Sequence, residues 1–80
     1  MNTYGDRLEA AIITQLRVEL ATRDMTQQDF AAAVEITPAT LNRYMKGHRS
    51  IPMQTFFKMA EVLEVPAKEL MQQAEARLEA

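Results

Sequence analysis

The sequence predicts an all-α protein, a compact bundle of five helices that forms a single domain over residues 1–80. Apolar residues recur three or four positions apart along most of the chain, which is the spacing of one face of a helix. Only two glycines and three prolines interrupt this pattern, and there are few long β-branched runs of the kind that indicate strands. A chain of 80 residues buries about 60–65% of its unfolded surface, which supports one core but not a second domain.

The first helix is predicted to start at Thr3 or Asp6 and to run to about Arg23. Its core-facing stripe repeats every four residues and consists of Leu8, Ile12, Leu16 and Leu20. Ile13 and Val18 fall off this stripe. We therefore expect a second contact surface there, either for the fifth helix or for another subunit.

Two short capped helices follow, and the connection between them is tight. Thr26 and Asp29 fit the capping box [ST]-x-x-[DE], so the second helix begins at Thr26. Thr37 can cap the third helix, and Pro38 suits its first position because the missing N–H has no partner there. With only residues 35–36 between them, the two helices must turn sharply and pack against each other.

The third helix has two chemically different sides. Its apolar side faces the core and holds Leu41, Tyr44 and Met45. Its outward side holds Ala39, Asn42, Arg43 and Lys46. Gly47 ends the helix, because glycine enters the left-handed conformation without a steric penalty. A second helix presented in this way is how a helix-turn-helix reads DNA.

The last two helices are predicted to begin near Pro52 and near Pro66. The fourth helix is expected to bury Phe56, Met59, Ala60 and Leu63. The fifth is expected to present on one side Leu70, Met71, Ala74 and Leu78. Together with the first helix they would complete one core.

A set of residues in the middle of the chain stands at the spacing typical of one family. The set comprises Gln27, the pair Phe30-Ala31, Val34, Ile36, Leu41, Tyr44, Gly47 and Pro52. Through these positions the chain resembles the Cro and phage-repressor type of helix-turn-helix, also called the XRE family, from about Leu16 to Val65. The resemblance implies a lambda-repressor-like bundle in which helices two and three form the helix-turn-helix.

The chain departs from the family pattern at two turns and at the start of the third helix. Relatives usually have glycine where this chain has Glu35 and Glu64. A non-glycine residue in the left-handed region costs roughly 1–2 kcal/mol, so either the strain is tolerated or the turns take another shape. Relatives also often carry glutamines where this chain has Pro38 and Ala39, which implies fewer hydrogen bonds to bases.

The net charge of −2 hides a basic segment. Residues 36–60 contain no Asp or Glu, and they carry Arg43, Lys46, Arg49 and Lys58, with His48 in addition. That segment therefore has a charge of +4, and the rest of the chain has −6. Because salt screens charges beyond about 8–10 Å, a local basic face can still meet phosphate. The acidic remainder favours a modest, salt-sensitive affinity.

The outward side of the third helix supplies the candidates for base contacts, which are Ala39, Thr40, Asn42 and Arg43. Arginine can donate two hydrogen bonds to guanine, asparagine can pair with adenine, and the methyl groups of Ala39 and Thr40 can pack on a thymine methyl. The alternative is that Asn42 and Arg43 are ordinary solvated residues and that Thr40 packs against the domain.

The candidates for DNA phosphate contacts are Gln27, Thr37, Lys46, His48 and Arg49. The resemblance implies that Gln27 and Thr37, each at a helix start, lie near the DNA backbone. Their alternatives are a solvated amide and a plain helix cap. Lys46, His48 and Arg49 form a basic loop that could equally be solvated.

Several function classes are disfavoured. The only histidine lies in the basic loop, and no Gly-rich phosphate loop or paired carboxylates are present, so we expect no enzyme, no catalytic residue and no cofactor. Without cysteine or a second histidine, no metal site is expected. The chain has no signal-peptide pattern and no run of eighteen apolar residues, which predicts a soluble, cytoplasmic protein with no membrane partner.

The sequence thus predicts a sequence-specific transcriptional regulator that binds double-stranded DNA, a repressor of phage or prophage type. Few base contacts per helix favour a homodimer on a palindromic operator. The apolar positions available for subunit contact are Ile13, Val18, Met71 and Leu78, although they could complete the monomer core. Two alternatives remain open: an antitoxin of the same fold, for which a toxin or antirepressor would be a protein partner, and a helical adaptor without DNA binding.

Overall fold

Five α-helices account for most of the chain in the computed structural model, which describes residues 3–79. The helices are α1 (Tyr4–Thr22), α2 (Gln27–Val34), α3 (Pro38–Met45), α4 (Met53–Leu63) and α5 (Ala67–Glu79). No strand occurs within the described residues. The predicted all-α fold of five helices is confirmed, and each boundary that the sequence predicted lies within a residue or two of its expected place.

The helix starts follow from short-range capping. Thr3 accepts a hydrogen bond from the Asp6 N–H (3.1 Å), and Asp6 accepts one from the Thr3 N–H (3.2 Å), which fixes the start of α1 at Thr3. Thr26 and Asp29 form the same box at the start of α2. At α3 the Thr37 hydroxyl caps the helix. Each cap satisfies donors that the first helical turn leaves free.

Three acidic residues hold the left-handed conformation at turns that follow helices. Asp24, Glu35 and Glu64 have φ angles of 51°, 68° and 57°. Glu35 and Glu64 thus adopt the strained left-handed conformation, which was one of the two shapes considered for their turns. Asp24 is a third left-handed residue, which the sequence analysis did not predict. Each turn is closed by backbone bonds, for example from the Ile36 N–H to the Ala31 carbonyl at 3.0 Å. Those bonds satisfy helix-end carbonyls and offset the strain.

The main core joins four helices. Its buried members are Leu16, Leu20, Phe30, Ala31, Val34, Leu41, Tyr44, Met45, Met59 and Leu63. Helices α2 and α3 pack against each other in this core as predicted, and Ala31 of α2 is fully buried there. A second cluster of Phe56, Ala60 and Leu70 connects α4 to α5. The core therefore holds α3 by its apolar side only.

The contact between α1 and α5 includes a buried polar network that the apolar pattern did not reveal. Gln15 is only 6% exposed. Its amide nitrogen donates to Glu19 Oε2 (2.8 Å) and Gln73 Oε1 (2.9 Å), and its oxygen accepts from Arg77 Nε (2.9 Å). Because all its polar groups are paired, the burial of Gln15 carries no unsatisfied donor or acceptor.

The expected apolar stripes are partly shifted. Leu16 and Leu20 are buried as expected, but Leu8 and Ile12 are only half-buried. On α5 the buried residues are Leu70 and Ala74, while Met71 and Leu78 remain half-exposed. Among residues 3–79, no helix is both long enough and apolar enough to cross a membrane.

Candidate nucleic-acid interface

Helix α3 presents a polar side to solvent. Ala39, Asn42 and Arg43 are exposed, whereas Leu41 is fully buried and Tyr44 is 3% exposed. This division follows from the helical period, since residues three or four apart share a face. The structure therefore displays three of the four candidate base-contact residues together on one outward surface.

The polar groups on this surface have no protein partner. Within residues 3–79, neither Asn42 nor Arg43 takes part in a side-chain hydrogen bond or an ion pair. Their donors and acceptors are therefore directed to solvent, where a base edge could satisfy them. An asparagine and an arginine one residue apart on an exposed helix offer the two hydrogen-bonding patterns that suit adenine and guanine.

Thr40 is half-buried and engaged with the helix cap. Thr37 Oγ1 accepts a hydrogen bond from the Thr40 N–H (3.1 Å) and donates one to Thr40 Oγ1 (2.8 Å). The capping role considered for Thr37 is thus present. Pro38 has no N–H, and the N–H groups of Thr40 and Leu41 both bond to Thr37. Within the described residues, the Ala39 N–H therefore has no hydrogen-bond partner. A free donor at a helix N-terminus favours an anion nearby.

The loop after α3 brings three basic side chains to the surface. Lys46, His48 and Arg49 are all exposed, and none of their side chains has a hydrogen-bond or ion-pair partner among residues 3–79. Gly47 makes the turn possible: its φ is +74°, and the His48 N–H bonds back to the Arg43 carbonyl at 2.9 Å. The loop is therefore tied to the last turn of α3, so its charges lie beside the outward surface. Gln27, the remaining candidate, is half-buried at the first position of α2.

Lys58, the fourth charge of the basic segment, is already paired. Its Nζ lies 3.3 Å from Glu61 Oε1 and 3.6 Å from Glu35 Oε1. Glu61 first, and then Glu35, raises the pKa of Lys58 above its ordinary value. Within the basic segment of residues 36–60, the positive charges that remain without an acidic partner are Arg43, Lys46 and Arg49, all on α3 or in its loop.

Two arginines of α1 anchor the ends of other helices. Arg17 Nη2 donates at 2.6 Å to the carbonyl of Met45, the last residue of α3. Arg23 Nη2 donates to the Leu63 carbonyl, the last residue of α4, at 2.8 Å. A guanidinium at a helix C-terminus satisfies a free carbonyl and suits the negative end of the helix dipole. Sequence reasoning missed Arg17, because nothing local marks which carbonyl a surface arginine will reach.

The sequence profile of a helix-turn-helix family matches residues 13–70. The chain belongs to this helix-turn-helix family. The matched range contains α2 and α3, the loop and every residue proposed above for the interface. The resemblance to the Cro and phage-repressor type, XRE, is confirmed at the level of the family, and membership in it supports DNA binding in transcriptional regulation.

Two solved structures share the fold of this helix-turn-helix protein. Both are crystal structures of the clp gene regulator ClgR from Corynebacterium glutamicum. In one, TM-score 0.80, the match covers 88% of this chain and 74% of the other; in the second, TM-score 0.78, it covers 88% and 91%. Sequence identity is 18% in both, so the likeness concerns the fold alone. No curated protein sequence matches the chain.

The four candidate subunit contacts of the helix-turn-helix protein do not lie together. Ile13 and Met71 line a groove between α1, α4 and α5. Val18 is 41% exposed and lies outside that groove. Leu78 is half-buried near the end of α5 and also lies outside it. The structure thus brings two of the four together.

Proposed function

We propose that this helix-turn-helix protein is a sequence-specific DNA-binding transcriptional repressor of phage or prophage type, which acts in the cytoplasm by occupying an operator that overlaps a promoter. The observation that carries the proposal is the exposed surface of α3, where Asn42 and Arg43 are unpaired beside a basic loop. Family membership supports the DNA-binding part of the proposal.

In this proposal the outward side of α3 enters the major groove. Arg43 donates to guanine O6 and N7, Asn42 pairs with adenine, and the methyl groups of Ala39 and Thr40 pack on thymine. Thr40 contributes its methyl group, while its hydroxyl accepts the hydrogen bond from Thr37 Oγ1.

The remaining contacts go to the DNA backbone. Lys46, His48 and Arg49 bind phosphates after α3, and Gln27 binds one at the start of α2. Thr37 contacts phosphate at the start of α3 through its backbone N–H, because its hydroxyl already donates to Thr40. The free Ala39 N–H supports an anion at the start of α3. These contacts set the position and orientation of the protein without selecting a sequence.

The proposed active form is a homodimer on a two-fold symmetric operator. One α3 helix offers too few base contacts to select a site among the competing sites of a genome, and two copies double them. The half-sites should be centred roughly 10–10.5 base pairs apart, or a multiple of that distance, because the two α3 helices enter the major groove on the same side of the duplex.

Selection of bound sequences from a random pool of double-stranded DNA tests the proposal. We expect an enriched palindrome and an affinity that falls as salt rises. The matched control is the double variant Asn42→Ala/Arg43→Ala, which alters two exposed side chains and leaves the core intact. Enrichment of the same motif by both proteins, or no salt-dependent binding at all, would contradict the proposal.

The same experiment tests the adaptor alternative, and a binding assay with the product of a neighbouring gene tests the antitoxin alternative. A helical adaptor would bind no DNA at any salt concentration. An antitoxin would bind DNA and in addition a toxin encoded by a neighbouring gene, and an antirepressor would compete with the DNA.

A further inference from the structure

We propose that the groove between α1, α4 and α5 is the surface through which two copies of this chain associate, with Phe57 of each copy seated against the groove of the other. The inference deepens the proposed function, since it rests on the proposal of a dimer and names the surface. Its test uses the chain without DNA, so failure of this surface can be distinguished from failure of the proposed DNA binding.

The groove is apolar and open to solvent. It has a volume of about 450 Å³, and its apolar lining includes Ile12, Ile13, Ile51, Phe56, Phe57 and Met71. Ile12, Ile51 and Met71 are half-buried against the second core cluster. The groove is therefore a continuation of the core that the monomer does not close.

Two large apolar side chains project at its edge. Met53 is 69% exposed and Phe57 is 52% exposed, and both line the groove. The Phe57 ring stands 6.3 Å from that of Phe56, which is buried. Apolar side chains gathered in one patch, rather than scattered singly, indicate a contact surface.

The patch is complementary to itself, which argues for a second copy as the occupant. A two-fold interface uses one patch twice, so the patch must contain both a projection and a depression. Here the projection is Phe57 and the depression is the groove beside it. A different protein would not require both features on this chain.

The charges at the groove support the same occupant. Glu9 of α1 and Lys68 of α5 both line it, and they have opposite signs. Neither forms an ion pair within residues 3–79, although Glu9 accepts a hydrogen bond from the Ser50 hydroxyl at 3.2 Å. In the proposed dimer, Lys68 of each copy lies against Glu9 of the other, and the two-fold symmetry makes this contact twice.

The position of the groove agrees with a DNA-binding dimer. Ile51 and Met53 line it, and they directly follow the basic loop that leaves α3. Two copies joined at this patch would keep their basic loops close to the dimer axis. That arrangement suits a protein whose two α3 helices read adjacent half-sites.

Sedimentation equilibrium of the full chain, without DNA, tests the surface. We expect a reversible dimer, and we expect Phe57→Glu to raise its dissociation constant by about tenfold or more, as for loss of a central aromatic contact. The matched control is Val18→Glu, which places the same charge at an exposed apolar position outside the groove. Circular dichroism establishes that both variants remain folded.

Charge reversal gives a second test that does not depend on Phe57. Glu9→Lys alone and Lys68→Glu alone should each weaken self-association, because each homodimer would then contain two like-charged contacts. An equimolar mixture of the two variants should form heterodimers as readily as the unmodified chain, because both contacts become attractive again. Only association between copies at this patch predicts that recovery.

Several outcomes would overturn the inference. A chain that stays monomeric at all concentrations excludes the dimer, whether or not it binds DNA. A dimer that survives Phe57→Glu but dissociates with Val18→Glu would place the contact on the outer face of α1. Failure of the mixed charge variants to associate would assign the groove to another occupant, such as a helix of a different protein or a small apolar molecule.

Discussion

Arg43 and Arg49 carry the same charge and are both exposed, but the chain places them differently. Arg43 lies within α3, where the helix fixes the direction of its Cα–Cβ bond, whereas Arg49 lies in the loop that follows. A side chain held by a helix can meet a base edge at a fixed angle. A loop side chain suits phosphate, whose recognition requires charge more than direction.

This difference predicts distinct effects on DNA binding. Arg43→Ala should cost roughly 1–3 kcal/mol at the preferred site and relax selectivity at one base pair, whereas Arg49→Ala should weaken binding to all sequences alike. Titration of the selected site and of single-base variants with both proteins measures the effect. Equal losses on every sequence from both substitutions would remove Arg43 from the base-reading role.

Arg17 of α1 contacts the C-terminal end of α3, the helix that carries this surface. Its guanidinium holds the carbonyl of the last α3 residue, Met45, at 2.6 Å. We expect Arg17→Met to lower the free energy of unfolding by about 1 kcal/mol and to shift the base preference under conditions where the protein is fully folded. Arg17→Lys should restore part of the preference, because lysine can still donate to the carbonyl.

Arg7→Met is the control for charge. Arg7 is an exposed arginine of the same helix, and it has no side-chain partner among residues 3–79. Arg7→Met should leave the base preference unchanged. If Arg17→Met and Arg7→Met have the same effect on the selected sequence, Arg17 contributes only its charge and does not position α3.

Three of the turns between helices contain an acidic residue with a positive φ angle. Asp24, Glu35 and Glu64 adopt the left-handed conformation that glycine accepts without strain, and each places a negative charge near the negative end of a helix dipole. Glu35 is partly compensated by Lys58 at 3.6 Å. Glu64 has no ion-pair partner among the described residues. Asp24 has none among them either, but aspartate enters the left-handed region more readily than glutamate. The turn between α4 and α5 is therefore the one whose replacement should most stabilise the fold.

Glu64→Gly is expected to raise the free energy of unfolding by about 1 kcal/mol, since it removes the left-handed strain of roughly 1–2 kcal/mol at some cost in chain entropy. Urea unfolding measures the change. Glu64→Ala is the control, because it removes the charge and keeps the Cβ that causes the strain. A larger gain from alanine than from glycine would show that charge, and not backbone conformation, limits this turn.

The distribution of charge decides how the whole molecule meets DNA. The net charge is −2, and within the basic segment of residues 36–60 the positive groups without an acidic partner lie on α3 and in its loop. Since Lys58 is held by two carboxylates, it adds little to the charge that faces DNA. The molecule therefore neutralises few phosphates, although its basic segment contains several cations.

The dependence of affinity on salt should accordingly be shallow. With Lys46 and Arg49 as the loop cations that bind phosphate, the log–log slope should be roughly −2 per subunit, at about −0.9 for each phosphate. Lys46→Gln should reduce its magnitude by about 0.9 per subunit, and Lys58→Gln should change it little. An equal reduction from both variants would mean that Lys58 leaves its carboxylates to contact DNA.

The sequence by itself determined the features that depend on neighbouring residues. Capping boxes, a proline at the first position of α3, glycine after it and apolar residues at helical spacing all act within one or two turns of chain, so they can be recognised without the fold. These features gave the five helices, the crossing of α2 and α3, and the outward position of Asn42 and Arg43.

The tertiary structure decided what depends on residues that are distant in the chain. Arg17 reaches a carbonyl 28 positions away, and Gln15 is buried because it meets Gln73 and Arg77 on α5. The apolar groove likewise exists only where α1, α4 and α5 leave space between them. The spacing of apolar residues in the sequence indicates which face of a helix is apolar. It does not state which atoms the packed helices bring within reach, because that depends on how all five helices pack.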